Sequence, residues 1–420
     1  MSILVLHKSN ASRRKHLARA AEYAKENGER FLLLVKDPTW EHEVADVVVS
    51  VDTSDIQATL AAVRDLAASE PEPIRAVAAF VGHSVPAAAA VAYELGLPCV
   101  SEQAAHAVRD KYAMRQAFDS ADIPQPVYGL ARTVEEALDL AARIGFPLVV
   151  KPLIDNDTMY LRRVDDSEEL TEHFATIQRG GWSGIKDDPL YGWAIDKYEY
   201  AIILEEYLPG PEISVESIVV EGQAHVVAIH DKPLPMDGPY FADVHFTTPS
   251  RLPAEVQQRV HDLAAAANRA IGIDVGATHT EFRIQEDGTP KILETAARLG
   301  GGPVYQSVLL STGVDMVTAV LDTASGRKPD LSSRPEPTPT GFYLFFAERA
   351  GRISAITGVP EAQLDSHVHE LSLYRKTGDT VDVPPRAWQS HGHVVFTADS
   401  SDELVRTFDG LVKSINIELE

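Results

Sequence analysis

The sequence contains almost no cysteine. Among its 420 residues only Cys99 is a cysteine, so no disulfide can form within the chain, and a reducing compartment is expected. The apolar residues 1–6 precede Arg13 and Arg14, which is the reverse of the charge order in a signal peptide. We therefore expect a cytoplasmic protein.

Basic residues are also in deficit. There are 38 lysines and arginines against 62 acids, which gives a net charge of −24. A nucleic-acid-binding protein normally carries a basic footprint, and an anionic membrane surface would repel this chain. The longest uncharged stretch, residues 76–93, is interrupted by Gly82 and Pro86 and fits a strand, a loop and a helix better than a membrane span. We expect neither nucleic acid nor a membrane as partner, while a local basic site for a phosphorylated small molecule is compatible with this charge.

Apolar runs and helical patterns alternate over the first hundred residues. Residues 3–6, 31–35, 47–51 and 77–81 are predicted to be strands. Strand–helix alternation of this kind predicts a doubly wound parallel sheet, and thus a Rossmann-like domain over residues 1–100. No GxGxxG sequence follows the first strand, so we expect this domain to form a wall of a substrate cleft and not to bind a dinucleotide.

The remainder of the chain divides at a proline-rich linker, residues 325–340. Residues 101–324 form the predicted central domain, with a lid subdomain at about 125–200. Residues 341–420 are predicted to form a small α+β cap. The expected fold class is therefore a multidomain α/β and α+β protein.

The most informative segment is a predicted hairpin. The Asp-Gly pair at 287–288 is a strong turn signal, and if the turn centres there, the numbers of residues paired across the strands add up to 575. Glu281 and Glu294 then stand directly opposite each other on one face. Phe282 and Leu293 pair on the other face, toward a core. This register holds for a loop of two or four residues and fails for one of three or five.

Two carboxylates placed opposite each other repel, so something must offset their charge. A divalent cation with oxygen ligands is the natural candidate, and a solvated hairpin is the alternative. Arg298 and the glycines at 300–302 follow directly. A cation and a closely approaching backbone beside a metal pair suit a transferred phosphoryl group.

Two lysines fit the same chemistry. Lys151 ends the apolar run 147–150, where its charge needs a partner, either a nucleotide or a nearby acid. Lys111 follows an Arg-Asp pair on a predicted helix, where a lysine is usually solvated. Further on, the predicted strand 201–206 and a sharp turn at 209–211 precede Glu212, so that backbone groups could meet an adenine edge and Glu212 could accept from ribose hydroxyls.

The order of these parts resembles the ATP-grasp superfamily. Within it, the segments Ala-Thr-His-Thr-Glu-Phe at 277–282 and Glu-Thr-Ala-Ala-Arg at 294–298 resemble the L-amino acid ligases of the bacilysin-synthetase type, over roughly residues 100–320. The resemblance implies the following roles: Lys111 and Lys151 contact ATP phosphates; Glu205, Glu206 and Leu208 line the adenine pocket; Glu212 holds ribose; Glu281 and Glu294 bind magnesium; and Arg298 stabilises the acyl phosphate and the tetrahedral intermediate.

Two departures from the superfamily pattern stand out. The phosphate lid that often follows the second lysine is rich in glycine, whereas residues 152–160 contain none, which leaves Thr158 to offer a hydroxyl and an amide to the phosphates. The asparagine common two residues after the last metal glutamate is Ala296 here. One or two magnesium ions, or manganese, therefore fit the pattern.

Other residues are candidates for substrate contacts. Gly82-His83-Ser84 resembles a nucleophile elbow, but proline replaces its final glycine, so His83 and Ser84 fit a substrate cleft better than a hydrolase triad. The resemblance also implies that Asp243 and His245 handle the amino substrate, although Phe246 could take the place of the histidine.

We therefore expect an ATP-dependent carboxylate–amine ligase that acts on small amino acid substrates as a monomer or homodimer. The acyl phosphate would convert a carboxylate into an acyl donor, and a dipeptide or aminoacyl amide would form with ADP and phosphate. Two alternatives are an enzyme that makes carboxyphosphate from bicarbonate and a nucleotide-binding protein without turnover.

Overall fold

The computed structural model describes residues 1–8, 10–154, 159–241, 243–384 and 390–420. Its N-terminal part contains β1 (Ser2–His7), α1 (Arg14–Glu26), β2 (Arg30–Val35), β3 (Val47–Ser50), α2 (Ile56–Ser69), β4 (Ile74–Ala79) and α3 (Val85–Leu95). The four strands are parallel, in the order β3-β2-β1-β4, which confirms the doubly wound class. Ile3 and Val5 belong to the core that contains residues of α1, whereas Leu4 and Leu6 pack with residues of α2 and α3. Both faces of the sheet are covered because successive strand residues point to opposite sides.

A second sheet follows, built from antiparallel strands in the order β5-β8-β6-β7. This part comprises α4 (Glu102–Ala107), α5 (Lys111–Ser120), β5 (Tyr128–Ala131), α6 (Val134–Ile144), β6 (Leu148–Lys151), β7 (Arg162–Val164), α7 (Ser167–Gly184), α8 (Tyr191–Tyr198) and β8 (Ile202–Glu206). Apolar side chains of α6 and α7 fill one of its cores. Strands β6 and β8 therefore carry Lys151 and Glu205 on a buried scaffold.

The rest of the chain forms the elements β9 (Glu212–Val220), β10 (Gln223–Lys232), β11 (His245–Thr248), α9 (Ala254–Ile271), β12 (Gly276–Ile284), β13 (Pro290–Ala296), α10 (Val304–Thr312), α11 (Met316–Ala324), β14 (Thr340–Phe345), β15 (Gly351–Thr357), α12 (Val359–Gln363), β16 (Val368–Leu373), β17 (Thr380–Val381), β18 (Gly392–Thr397), α13 (Ser401–Ser414) and β19 (Asn416–Leu419). Eight of these strands form the third sheet, in the order β13-β12-β9-β10-β11-β14-β18-β16. The other three form a small sheet in the order β17-β15-β19. Because β14 pairs with β11, strands after the proline-rich linker continue the sheet that begins before it.

The pairing of the two hairpin glutamates is as predicted, and the pairing next to it is not. Glu281 is the partner of Glu294 across β12 and β13. Phe282, however, pairs with Ile292, so the expected pairing with Leu293 was wrong. The strand register shifts by one residue between Glu281 and Phe282.

The shift has a physical reason in the turn. The loop is closed by the N–H of Gln285, which donates to the carbonyl of Thr289 over 2.9 Å, and Gly288 adopts a φ of 75°. Three residues, 286–288, therefore lie between the closing pair, a length that moves the register by one. A β-bulge at Leu293 absorbs one residue and restores the register farther along.

No single helix among the described residues is long and apolar enough to cross a membrane. Only together do helices α10 and α11 reach the length and apolar composition of a membrane span, and the two helices are bent by 102° relative to each other.

Candidate active site

Polar side chains occupy one face of the large sheet where β9 and β12 run side by side. Glu212 and Glu216 on β9 lie beside Arg283 and His279 on β12, respectively. Glu281 lies between them on β12, two residues from each partner, and so shares their face. The intervening residues, such as Phe282, pack on α9 in the opposite core. Strand periodicity thus produces a charged surface above a buried apolar one.

Lys232, the last residue of β10, lies among three carboxylates. Its Nζ is 2.5 Å from Glu212 Oε1, 2.7 Å from Asp243 Oδ1 and 2.8 Å from Glu281 Oε1. Burial lowers the pKa of Lys232, but the three acids outweigh this effect and hold it well above the usual range. Oxygens of the same acids are mutually close enough to hold a metal ion, with all three ligand atoms within 4.8 Å of one another. The ammonium group therefore already supplies a cation to this cluster.

Glu281 of this cluster is also the cross-strand partner of Glu294 on the hairpin. Glu281 engages Lys232 and His279 through the same oxygen, Oε1. Glu294 is half-buried and lies 3.6 Å from Lys111 Nζ. Two carboxylates at directly paired positions, bordered by lysines, form a donor set that fits Mg²⁺ and its phosphate ligands. The structure thus brings Lys111, Glu281 and Glu294 into one region.

A buried ion network connects the β5-β8-β6-β7 sheet to the β12–β13 hairpin. Arg115 of α5 donates to both oxygens of Glu205, over 2.8 and 3.0 Å, and to the carbonyl of Leu293 over 2.7 Å. Lys151 Nζ lies 2.7 Å from Glu205 Oε2. Burial raises the pKa of Glu205, but Arg115 and Lys151 outweigh it and lower that pKa to about 2. Burial also lowers the pKa of Lys151. The predicted partner of Lys151, a nearby acid, is present, and it holds the ammonium group in place.

The end of β8 carries Glu206, and Leu208 lies just beyond it; the resemblance implies that both residues line an adenine pocket. Glu206 is half-buried, and its Oε2 lies 3.5 Å from Lys291 Nζ. Leu208 is buried just beyond the strand. The turn that follows needs glycine: Gly210 has a φ of 98°, and a Cβ there would lie 2.1 Å from the carbonyl oxygen of Ile284. This close approach brings the start of β9, and hence Glu212, against the hairpin.

His279 forms a hydrogen-bonded pair that the sequence did not reveal. Its Nδ1 is 2.6 Å from Glu216 Oε1, and its Nε2 is 3.4 Å from Glu281 Oε1. Burial lowers the pKa of His279, but the two glutamates outweigh this effect and raise it to about 9. Both contacts favour the protonated form of the ring, which connects a fully buried acid to a hairpin carboxylate.

Arg298 lies where the hairpin meets the N-terminal sheet. Its Nη1 donates to the carbonyl of Leu299 over 2.9 Å. A Cβ at Gly82, after β4, would be 3.5 Å from Arg298 Nε. The loop at 82–84 therefore borders the residue that the resemblance implies for acyl transfer.

His83 and Ser84 take different directions from that loop. Both are buried. His83 Nδ1 is 3.6 Å from Asp188 Oδ2, whereas Ser84 Oγ is 3.1 Å from the Thr53 hydroxyl, within the N-terminal part. His83 thus faces the acid between α7 and α8, and the contact of Ser84 is with its own domain.

One further sequence candidate, His245, lies apart from this region. His245 is stacked on Phe408 with 3.8 Å between ring centroids, and its Nδ1 is 2.9 Å from the carbonyl oxygen of Phe342. Burial lowers the pKa of His245 to about 4. Its ring is therefore part of the C-terminal core, whereas Asp243, two residues earlier, contacts Lys232. Thr158 falls outside the described residues.

Sequence reasoning missed Lys232, Arg115, His279 and Glu216. Lys232 is the last residue of β10 just as Lys151 is the last residue of β6, but His230 and Asp231 separate it from the apolar run 226–229. The alternation of polar and apolar residues at 212–216 and 279–283 predicts a shared polar face. Arg115 gave no such signal, since its partners are 90 and 178 residues away in sequence.

Two known protein families match parts of the chain. Residues 144–305 match the ATP-grasp domain family, and residues 343–420 match L-amino acid ligase C-terminal domain 2. An L-amino acid ligase from Bacillus licheniformis has the same fold, with a TM-score of 0.86 and 23% identity over 100% of this chain and 98% of that one.

Curated relatives are similar over part of their length. Alanine–anticapsin ligase of Bacillus subtilis is 30% identical over 253 residues, which cover 56% of this chain and 51% of that protein. An uncharacterised protein, y4rH, of Sinorhizobium fredii is 29% identical over 307 residues, which cover 73% of this chain and 60% of that protein. The chain thus spans between half and three fifths of the length of these relatives.

Proposed function

We propose that the chain is an ATP-dependent carboxylate–amine ligase, because residues 144–305 match the ATP-grasp domain family and residues 343–420 match L-amino acid ligase C-terminal domain 2. It joins the carboxylate of an amino acid to an amine, through an acyl phosphate, and releases ADP and phosphate. The two similar ligases support this reaction class, because one is an L-amino acid ligase and the other an alanine–anticapsin ligase.

One observation carries the proposal: Glu281 and Glu294 are direct cross-strand partners. Lys111 lies 3.6 Å from Glu294, and Lys232 lies 2.8 Å from Glu281. Alternating positive and negative groups of this kind suit a polyphosphate with its metal ion. Glu281 and Glu294 would hold magnesium, which supplies charge neutralisation for the transferred phosphoryl group when bound.

The remaining side chains position the reactants. Lys111 and Lys151 contact the phosphates of ATP, and the Glu205 carboxylate fixes the direction of the Lys151 ammonium group at 2.7 Å. Glu206 and Leu208 line the adenine pocket, and Glu212 accepts from ribose hydroxyls. Positioning and charge neutralisation account for most of the rate enhancement in phosphoryl transfer, so no covalent nucleophile is required.

The reaction proceeds in two displacements. A carboxylate oxygen of the donor attacks the γ-phosphorus of ATP, the bond to ADP breaks, and an acyl phosphate forms. The amine then attacks the acyl carbon, and inorganic phosphate leaves with the oxygen that came from the carboxylate. Arg298 offers a permanent positive charge to the oxyanion of the tetrahedral intermediate.

A matrix of amino acid pairs tests this function. ADP release is measured with ATP and magnesium for every pair, and products are identified by mass spectrometry. We expect ADP release that depends on the amino acids and matches the amide formed. Bicarbonate in place of the amino acids tests for carboxyphosphate chemistry. ADP release with bicarbonate alone, or ADP release that no amino acid pair stimulates, would contradict the proposal.

The setting proposed for this activity is the cytoplasm, where ATP is abundant and Cys99 stays reduced. The partners are small amino acid substrates, and the enzyme acts as a monomer or a homodimer. One ion or two is compatible with the acids, but Lys232 occupies the centre of the Glu212, Asp243 and Glu281 cluster, which favours a single ion at Glu281 and Glu294.

A further inference from the structure

Three consecutive residues around the start of α5 contact three separate parts of the fold. Arg109 donates from Nη2 to Asp188, in the segment between α7 and α8. Asp110 contacts the last two residues of α8, and Lys111 Nζ lies 3.6 Å from Glu294 Oε2 on the β12–β13 hairpin. This short stretch of chain therefore connects α8 to a lysine that borders the hairpin acids.

Asp110 uses its two carboxylate oxygens for two separate purposes. Its Oδ1 accepts from the backbone N–H groups of Tyr112 and Ala113, each over 3.1 Å, and so caps the N-terminus of α5. Its Oδ2 accepts from the hydroxyl of Tyr198 and lies 3.1 Å from Lys197 Nζ. The residue is 0% exposed, and a carboxylate buried this deeply needs such donors. One oxygen thus fixes the first turn of α5, and the other attaches that turn to α8.

Tyr198 is itself held firmly. Its side chain is buried in the apolar cluster that also contains Leu153 and Ala201, and its ring lies edge-on to Tyr112, with 6.2 Å between centroids. Burial raises the pKa of the Tyr198 hydroxyl, and the hydrogen bond to Asp110 raises it further, so the group keeps its proton and remains a donor. The end of α8 therefore offers Asp110 a fixed partner.

The backbone of Lys111 is attached to the same apolar cluster. Its N–H donates to the carbonyl of Leu153 over 3.1 Å. Leu153 follows Lys151 by two residues, at the end of β6. Burial lowers the pKa of Lys151, and the nearby charge of Lys111 adds to this effect. The contacts that hold the first turn of α5 therefore also hold the two lysines near each other.

The middle of α5 packs on a different part of the chain. Met114 and Phe118 belong to the core that contains Val260 of α9. These contacts fix the body of the helix, whereas its first turn depends on the hydrogen bonds of Asp110. Because Lys111 is the first residue of α5, the placement of its ammonium group depends on that turn.

We propose that Tyr198 and Asp110 are positioning residues for ATP, and that the hydrogen bond between them holds Lys111 against the phosphates. This inference rests on the proposed function, in which Lys111 contacts the phosphates of ATP. Neither positioning residue touches the nucleotide, and both act through the lysine. When the hydrogen bond is lost, Lys111 is still present but is less well directed, so ATP binds more weakly.

Tyr198→Phe tests the inference, because it removes the hydroxyl and keeps the ring in its cluster. Binding of a non-hydrolysable ATP analogue with magnesium is measured by calorimetry. We expect the Kd to rise about 3- to 10-fold, which is part of the roughly 10- to 100-fold that corresponds to a hydrogen bond to a charged group. An unchanged Kd would overturn the inference.

Tyr128→Phe is the matched control. Tyr128 also donates to an aspartate of α5, Asp119, near the other end of the helix, and its ring also lies edge-on to Tyr112. This variant should bind the analogue as tightly as the wild type does. An equal loss in Tyr128→Phe and Tyr198→Phe would show that binding responds to any contact between α5 and a tyrosine, and it would overturn the role given to Tyr198.

Asp110→Ser breaks the same hydrogen bond from the other side. Serine is also a good N-cap residue, so α5 keeps its cap but loses the oxygen that accepts from Tyr198. The Kd for the analogue should match that of Tyr198→Phe to within about twofold. Binding as tight as that of the wild type would overturn the inference, even if Tyr198→Phe did not fold.

A double-mutant cycle with Lys111 separates positioning from a general loss of structure. In the Lys111→Met background, Tyr198→Phe should change the Kd by less than about twofold, because the group that it positions is gone. The same loss in both backgrounds would mean that Tyr198 acts on the fold as a whole, and it would refute the inference.

Binding of the analogue does not require turnover, so its result is distinguishable from a failure of the ligase function. Weaker binding in Tyr198→Phe, together with ADP release that never depends on amino acids, would refute the ligase function and support the positioning role. Amino-acid-dependent ADP release, together with unchanged binding in Tyr198→Phe, would refute the positioning role alone.

Discussion

We expect Arg115 to stabilise the connection between the β5-β8-β6-β7 sheet and the β12–β13 hairpin more than any other described side chain. It is 1% exposed, bonds both oxygens of Glu205 and reaches the carbonyl of Leu293 on the hairpin. Arg115→Met keeps most of the apolar volume and removes the guanidinium group. Among the described residues, the buried Glu205 carboxylate then retains only Lys151 as a charged partner.

Two routes give the size of the loss. Removing one partner of a buried ion pair costs about 3–5 kcal/mol, because a charge remains buried without compensation. Independently, the folded state lowers the pKa of Glu205 from 4.5 to about 2, although burial alone would raise it. A difference of this size between the folded and unfolded chain corresponds to about 3 kcal/mol. Lys151 also contributes to this lowered pKa and remains in the variant, so the second figure is an upper bound for Arg115 by this route, and we expect a loss of about 3 kcal/mol in the free energy of unfolding.

The sign of the pH dependence follows from the lowered pKa. Glu205 contributes its full stabilisation above pH 4.5, where the unfolded carboxylate is also ionised, and this contribution is lost as the pH falls toward 2. The difference in stability between the wild type and Arg115→Met should therefore be constant above about pH 5 and should shrink below pH 4.5.

Urea unfolding followed by tryptophan fluorescence measures the difference. Arg64→Met is the matched control, because Arg64 also bonds both oxygens of a glutamate, Glu94, but its side chain is 59% exposed. Exposed pairs contribute about 0–1 kcal/mol. If both variants lose the same stability, or if Arg115→Met loses less than about 1 kcal/mol, the argument from burial is refuted.

Three further predictions concern the site. Glu294→Ala should abolish ADP release while leaving the melting temperature within a few degrees of wild type, since the side chain is half-buried; wild-type rates would remove it from the metal site. Arg298→Ala should reduce amide formation far more than it weakens ATP binding measured by calorimetry, and equal effects on both would contradict its role in acyl transfer. Lys232→Met should leave three acids within 4.8 Å of one another, so that Mn²⁺ raises the melting temperature of the variant more than that of the wild type; an equal rise would show that Lys232 does not take the place of a cation.

Local patterns were enough to predict the parallel sheet and the position of the hairpin. Apolar runs and the Asp-Gly turn act over a few neighbouring residues, and the pairing of Glu281 with Glu294 followed from them. The pairing of Phe282 did not, because a three-residue loop and a bulge cancel each other's effect on the register, and neither is encoded in a simple alternation.

Side-chain contacts that depend on which strands are neighbours in the sheet could not be predicted from the sequence. The ammonium group of Lys232 meets Glu212 and Glu281 because β10, β9 and β12 are neighbours in the sheet. The resemblance implied that Asp243 and His245, two residues apart, both handle the amino substrate. The two side chains diverge, since Asp243 contacts Lys232 while the ring of His245 stacks on Phe408.

The acyl phosphate is the central claim, and isotope transfer tests it most directly. The donor amino acid is labelled with ¹⁸O in both carboxylate oxygens, and the phosphate released during amide formation is analysed by mass spectrometry. Attack of the carboxylate on the γ-phosphorus places one labelled oxygen in each phosphate, so the account predicts one ¹⁸O per phosphate released. Phosphate without label, released together with amide, would contradict it.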